Sequence, residues 1–443
     1  MRKSHVIRIA FPFLFILTLI FCKVQSILVA PDPSRTDVWI RELYDEPTDT
    51  MDVVIIGGSY SYTLFQSPLA WRSSGITVWN YACESQRLVE AKYMIKEARK
   101  LQPNACYVVC VNGLFGKWRE NIIHYLSDNM RFSINKLEMI NRTCDLAEYG
   151  LSERLEYVIP IIRYHDRWRD VTVNDFHQNN MGMKGADIRT PFLTVSEDET
   201  IKYHPTNKNG KLSSDIRDIM DELLDYLDQN EIKAVFMAAP QFRSGKVISQ
   251  YNSALKVAKK RGYPTLNLYE YMDNMHLDLT QDYYNQAHIN IFGSIKATAF
   301  LADYFTEYLE LTDKRNDCAY ASWDDAYTKY QSEYLAQVIP EKLMDVNERD
   351  FSISAPGDEA AEKVDRGILV SWGNGSKADG YRLYKKTGDE PFLFVTDTDA
   401  EVRSYIDKIA QGKEKLTYII VPYTIKNGRR IFGNYKNCGV IVE

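Results

Sequence analysis

Ser59 and His288 are the two residues whose type and setting point to covalent chemistry. Ser59 follows Val53-Val-Ile-Ile-Gly57-Gly58, an apolar run read as a buried strand that stops on a glycine turn. His288 lies in Asp282-Tyr-Tyr-Asn285-Gln-Ala-His288-Ile-Asn290-Ile-Phe-Gly293, read as a polar loop just before a helix. A serine hydroxyl is a weak nucleophile until a base removes its proton in the transition state. Imidazole, with an ordinary pKa of about 6.5, accepts and returns that proton near neutrality. The two together would suffice for acyl transfer or ester hydrolysis. Of the seven histidines, His288 alone sits between small polar residues directly ahead of a helix start. Asp282 and Asn285 stand upstream as partners able to fix its tautomer, and only Asp282 would also stabilise an imidazolium by charge. Each half also has a blander reading: Gly57-Gly58-Ser59 as a plain turn, His288 as a structural histidine.

Other chemistries lack their residues. Gly57-Gly58-Ser59-Tyr60-Ser61 has neither the final glycine of a G-x-S-x-G elbow nor the Gly-Lys-Ser/Thr of a phosphate loop, and no G-x-G-x-x-G marks a dinucleotide site. Cys22, Cys83, Cys106, Cys110, Cys144, Cys318 and Cys438 have no metal-ligand spacing, and His276 with Asp278 is too sparse for a metal-dependent esterase. No cofactor is expected. The formal charge of -6 offers no concentrated basic surface, so no nucleic-acid partner is expected either.

The elements that must position the pair follow from periodicity. Strands are predicted over 51–56, 75–80, 105–111, 232–238 and 265–268, with helices over 87–100, 213–229, 247–261 and 293–311 between and after them. The nearly all-apolar 105–111 run suits a strand buried on both faces. This alternation predicts an α/β sandwich with a parallel sheet. Ser59 would then sit beyond the carboxyl end of the first strand, where open α/β sheets place ligands, with nearby amides available to an oxyanion. A helical insertion with loops interrupts the rhythm at about 116–200. Residues 312–363 read as helices and a linker. From 364 to 443 short alternating strands predict a small all-β sandwich.

At the N-terminus Arg2, Lys3 and Arg8 precede the apolar run from Ile9 to Cys22, which resumes over 27–30. Basic residues ahead of an apolar segment stay in the cytoplasm, so the remainder is exported. Residues 1–30 are either an uncleaved anchor of about 25 residues or a signal peptide cleaved after Val24-Gln25-Ser26. The expected location is extracytoplasmic, membrane-anchored in the first case and secreted in the second.

The segments around Ser59 and His288 resemble the SGNH (GDSL-like) hydrolase superfamily. They are most similar to its membrane-anchored, cell-envelope branch of polysaccharide O-acetylation and DltD-like proteins. The likeness covers about 48–311 and implies a three-layer α/β/α sandwich of flavodoxin-like type. It puts the nucleophile on Ser59. It implies an oxyanion hole from the Ser59 N–H, the Ala82 N–H in Asn80-Tyr81-Ala82, and the amide of Asn112 in Val111-Asn112-Gly113. The family's Asp-x-x-His block reads Asn285-Gln-Ala-His288 here, so either Asp282 substitutes or the site is a Ser–His dyad with an orienting Asn. Tyr60 replaces the histidine that often follows the nucleophile.

The resemblance implies an esterase or O-acyltransferase acting on small acyl esters of a cell-envelope glycan, the partner being that acylated carbohydrate or polymer. The alternative is an inactive protein on the same fold, for glycan binding or assembly. Trp118, Tyr164, Trp168 and Trp323 are candidate sugar platforms, with packing of a helical lid as the blander reading of each. The C-terminal part resembles a fibronectin type III module through Ser371-Trp372, Asp379-Gly380-Tyr381-Arg-Leu-Tyr384 and Ser404-Tyr405-Ile406-Asp407. Such a module is expected to act as a spacer or to bind glycan or wall.

Overall fold

The computed structural model describes residues 3–29, 39–114, 120–176, 180–189, 205–277, 282–337, 350, 352–374, 377–388, 392–408, 415–426, 429–434 and 440–442. Its centre is a five-stranded parallel sheet: β1 (Val53–Gly57), β2 (Val78–Ala82), β3 (Cys106–Cys110), β4 (Ala234–Ala238) and β5 (Thr265–Asn267), in the order 2-1-3-4-5.

Alternate strand residues feed two separate cores. Val54, Ile56, Tyr107, Val109 and Phe236 face the helices Leu88–Ala98, Ser214–Gln229 and Gly245–Lys260. Val53, Ile55, Val108, Val235 and Met237 face Ala297, Leu301 and Phe305 of the helix Ile291–Tyr308. Helices therefore flank both faces of the sheet, which is why its strands are apolar without alternation. The chain runs from β1 out to β2 and returns past β1 to β3. That reversal opens a crevice at the carboxyl ends of β1 and β3.

The break after β3 contains the helices Glu120–Ser127, Ile134–Leu146 and Leu151–Val158, and its described segment 180–189 is irregular. Two strands absent from the sequence reading stand where a polar loop was expected. β6 (Tyr283–Asn285) and β7 (His288–Ile289) form a short antiparallel hairpin.

The C-terminal part consists of two antiparallel sheets. One has the order β11-β10-β13-β14 with β15 also on β13, from β10 (Gly380–Thr387), β11 (Leu393–Asp399), β13 (Leu416–Lys426), β14 (Arg429–Phe432) and β15 (Val440–Val442). The other has the order β12-β9-β8, from β8 (Ala360–Val364), β9 (Gly367–Ser371) and β12 (Ser404–Asp407). Val370, Trp372, Tyr381, Leu383, Tyr418 and Ile420 pack between them. The opposite face of the larger sheet is not left to solvent. Tyr384, Phe394, Ile419, Val421 and Phe432 pack on Ile291, Phe292 and Ile295 of the 291–308 helix. A tethered spacer would expose that face.

The helix Lys3–Leu28 precedes the α/β unit, and its stretch Ala10–Leu28 is long and apolar enough to cross a membrane. Phe11, Phe13 and Leu14 on it are exposed. The helix suits a membrane-anchoring or signal-like segment. Six cysteines among the described residues are free thiols, and Cys438 lies outside them.

Candidate active site

β1 delivers Ser59 into the crevice at its carboxyl end. Gly58 continues extended after Gly57, and Ser59 opens one helical turn, Ser59–Tyr62. Ser61 locks the turn by donating its hydroxyl to the Gly58 carbonyl at 2.7 Å. The backbone passes so close that a Cβ on Gly57 would lie 2.7 Å from Ser61 Oγ and 3.1 Å from Cys110 Cβ. Glycine is required there by close approach. The first N–H groups of such a turn have no carbonyl of their own turn to bond, which leaves the Ser59 N–H for an oxyanion.

The hairpin delivers His288 from the other side. Its Nε2 lies 2.6 Å from Ser59 Oγ, and its Nδ1 lies 2.8 Å from Asn285 Oδ1. Asn285 Oδ1 also accepts the Ala287 N–H at 2.8 Å, which identifies that atom as the carbonyl oxygen of the amide. Nδ1 must then carry the proton, and Nε2 turns its lone pair to the Ser59 hydroxyl. This is the tautomer that a general base for Ser59 needs. The Tyr284 ring stacks on the imidazole at 5.1 Å and holds its plane. Ser59 and His288 are both half-buried, so they remain reachable from solvent.

Asp282, Ala82 and Asn112, also picked out from sequence, bond other partners. Asp282 is fully buried, and both of its carboxylate oxygens take the Lys296 ammonium, at 2.9 and 3.2 Å. Of the two candidate orienting residues, Asn285 is the one bonded to the imidazole, because the hairpin pairs it directly across from His288. Ala82 turns its peptide groups to the outer edge of β2. Its carbonyl takes Trp39 Nε1 at 2.5 Å, and its N–H shares that edge with the Asn80 N–H, which bonds Lys184. The next N–H, that of Cys83, is the one pointing to β1. Strand alternation thus carries the Ala82 N–H away from Ser59. The Asn112 amide donates to the Ala239 carbonyl and to Gln241 Oε1 at 2.8 and 3.2 Å and accepts from the Ala239 N–H at 2.7 Å. It ties the end of β3 to the end of β4.

The aromatic candidates separate by exposure. Trp323 is buried against Trp71 and Lys184 and cannot meet a sugar. Tyr164 donates to Asp128 at 2.7 Å, Trp168 is 65% exposed, and Trp118 lies outside the described residues. A cleft of about 560 Å³ between the 291–308 helix and the β-sandwich is lined by residues such as Arg72, Phe300, Tyr327 and Tyr405, and by neither Ser59 nor His288.

Two arginines set the electrostatics. Arg189 comes from the segment 180–189, which runs along the outer edge of β2, and its guanidinium bonds Asp187 at 2.7 Å. That path needs Gly185 at φ +82°, where a Cβ would strike the Asn80 carbonyl. Arg243 follows β4, its Nε 3.5 Å from Gln241 Oε1. Gln241 in turn donates to the Ala287 carbonyl at 3.1 Å, beside the hairpin turn. Burial first, then Arg189 and Arg243, lowers the His288 pKa to about 4. The ring is therefore neutral at pH 7 and competent as a base. For any reaction that uses His288 as its base, the acid limb of kcat/KM is expected near pH 4, well below an ordinary histidine limb at about 6.5. Arg243→Gln removes an opposing cation and should move that limb upward. A pH–rate series on both proteins checks this, and identical limbs would refute the assignment. Arg189 was not visible in sequence, because no local pattern marks a distant loop as returning to β2.

No family model matches the chain, and no curated protein matches it. Solved structures that it resembles include pectate lyase Pel3 from Pectobacterium carotovorum, at 12% identity over 20% of this chain and 27% of that one, with a TM-score of 0.17. Another is pectate lyase PelI from Erwinia chrysanthemi in complex with tetragalacturonic acid, at 16% identity over 19% of this chain and 28% of that one, with a TM-score of 0.16. The chain thus spans little more than a quarter of the length of either, and a likeness this slight carries no conclusion about fold or activity.

Proposed function

We propose that the protein is an extracytoplasmic serine esterase or O-acyltransferase of SGNH type, acting on small, acetyl-like esters of a cell-envelope glycan. The observation that carries this reading is the relay Ser59 Oγ–His288 Nε2 at 2.6 Å and His288 Nδ1–Asn285 Oδ1 at 2.8 Å. The 2-1-3-4-5 parallel order, that of flavodoxin-like sheets, and the placement of Ser59 at its reversal point support the fold assignment. The apolar N-terminal helix supports an anchored, outward-facing protein.

In the first step Ser59 Oγ attacks the acyl carbonyl carbon and its proton passes to His288 Nε2. The Ser59 N–H supports the oxyanion. The tetrahedral adduct collapses, the sugar oxygen leaves with the proton from Nε2, and an acyl-Ser59 ester remains. A water or a second sugar hydroxyl then gives its proton to Nε2 and attacks that ester, regenerating the serine. Water makes the protein an esterase and a hydroxyl makes it a transferase.

A second reading, an inactive envelope protein on the same fold, is favoured by a specific observation. The Asn112 amide bonds Ala239 and Gln241, the Ala82 carbonyl bonds Trp39 at the outer edge of β2, and Asn285 brings no charge to an imidazolium. Treatment of the full chain with a fluorophosphonate, followed by peptide mass spectrometry, separates the two. A phosphonylated Ser59 that is lost in Ser59→Ala is the expected result. An unmodified Ser59 in folded protein supports the inactive reading.

A further inference from the structure

We propose that Lys296 is a positioning residue for the Ser59–His288 pair, and that the C-terminal sandwich is a working part of this site through Asp397. The inference rests on the catalytic reading above. The hairpin carrying His288 is only two strands of three and two residues and, among the described residues, pairs with no further strand. A ribbon that small is not stable by itself and takes its position from what it packs on.

What it packs on is the first turn and a half of the 291–308 helix. Asn290 caps that helix, accepting from the Phe292 and Gly293 amides at 3.0 and 3.2 Å, and its own N–H bonds the Asp282 carbonyl at 2.8 Å. A Cβ on Gly293 would lie 2.5 Å from that same carbonyl, so residue 282 rests directly on the helix. Lys296, one turn further along, closes the arrangement. Its ammonium donates to both oxygens of Asp282, to the His276 carbonyl at 3.0 Å and to Asp397 Oδ2 at 2.9 Å.

Asp397 lies on β11 of the sandwich, more than a hundred residues beyond His288. Arg382 of β10 grips it through two bonds of 2.7 and 2.9 Å, and Arg430 of β14 stands 3.5 Å away. All five side chains are at most 6% exposed. Three cations therefore face two carboxylates in a buried interface, and Lys296 touches both carboxylates. In a low-dielectric setting each of these groups has few positions that keep it satisfied, so the network has a defined geometry. Asp282 is three residues from Asn285 and six from His288 on a tight hairpin. The sandwich thus sets the base through one lysine, while the surrounding apolar contacts of Phe292, Phe394 and Ile419 keep the two parts from separating.

A network that only holds the fold together would leave the imidazole untouched once the protein is folded, and this is the basis of the test. Full-length Asp397→Asn and the charge-neutral pair Asp282→Asn/Lys296→Met are compared with the wild type and with the conservative Lys296→Arg. Two quantities are read: the titration of the His288 ring by NMR, assigned with His288→Gln, and the rate of Ser59 phosphonylation. A misplacement on the scale of 1 Å corresponds to a rate loss of about 100-fold. The expected result is slower labelling in Asp397→Asn and in the pair, an upward shift of the His288 titration as the ring becomes solvated, and partial recovery in Lys296→Arg. Folded variants with wild-type titration and wild-type labelling would overturn the proposal. A wild type that never labels removes the catalytic reading alone, because the titration still reports whether Lys296 positions the ring. If one of the two disrupted variants does not fold, the other decides.

Discussion

His288→Ala is expected to lower the acylation rate of Ser59 by about 10⁴-fold or more, as loss of the base does in serine hydrolases generally. The physical reason lies in one proton. Without Nε2 at 2.6 Å, the Ser59 hydroxyl must release its proton to water while it attacks. The ring is half-buried and stands in a small hairpin, so its removal should not unfold the chain. The loss should fall toward the lower end of the range. A carboxylate normally stabilises the imidazolium as it forms, whereas here the partner is the neutral Asn285 and the nearby charges are Arg189 and Arg243. There is less transition-state stabilisation to remove. Asn285→Asp should therefore act in the opposite sense, raising the His288 pKa and the acid limb together. Single-turnover phosphonylation and an acyl-ester burst measure all three proteins. A His288→Ala protein acylated at the wild-type rate would remove the assigned base.

The largest effect on stability is expected at Asp397. Its carboxyl is buried, which alone would push its pKa up. Arg382, Lys296 and Arg430 more than reverse this and hold it well below the usual carboxylate range. Asp397→Ala leaves those three cations with Asp282 as the remaining carboxylate of the cluster. Breaking a buried ion pair from one side costs about 3–5 kcal/mol, because the abandoned charge stays buried. A shift of that size is readable as a lower urea midpoint at unchanged slope. The sign with pH follows from the depressed folded-state value. Asp397 contributes its full stability above the ordinary aspartate pKa of about 3.9 and loses it as pH falls through the lower folded value. A midpoint within error of the wild type would mean that water reaches the interface and screens the cluster.

The α/β rhythm is legible in the sequence. β1, β3 and β4 read as apolar runs because helices cover both faces of the sheet, and the 214–229 helix shows its stripe because only one side meets the core. The alternation of β9, β10 and β13 likewise announced an all-β part. The short strands β6, β7, β8, β12 and β14 are not marked as strands by the sequence. Strands of two to five residues with mixed polarity carry too little pattern to separate from loops. The helical insertion was legible only as an interruption.

Sequence by itself determined the candidates: a serine on a glycine turn after a buried strand, and a histidine with an amide three residues before it. Both are local patterns, set by residue type and spacing along the chain. Tertiary structure alone decided which groups meet. It put 2.6 Å between atoms 229 residues apart, gave His288 to Asn285 and Asp282 to Lys296, and brought Arg189 back along β2. It turned Ala82 outward through the edge bonds of β2, and tied Asn112 to β4. It also seated the C-terminal sheet on the helix that follows His288, so that a module expected to stand apart shares a buried charge cluster with Lys296 of that helix and with Asp282. Hydrogen bonds and ion pairs of this kind depend on direction and distance in space, and neither is written in the spacing of residues along a chain.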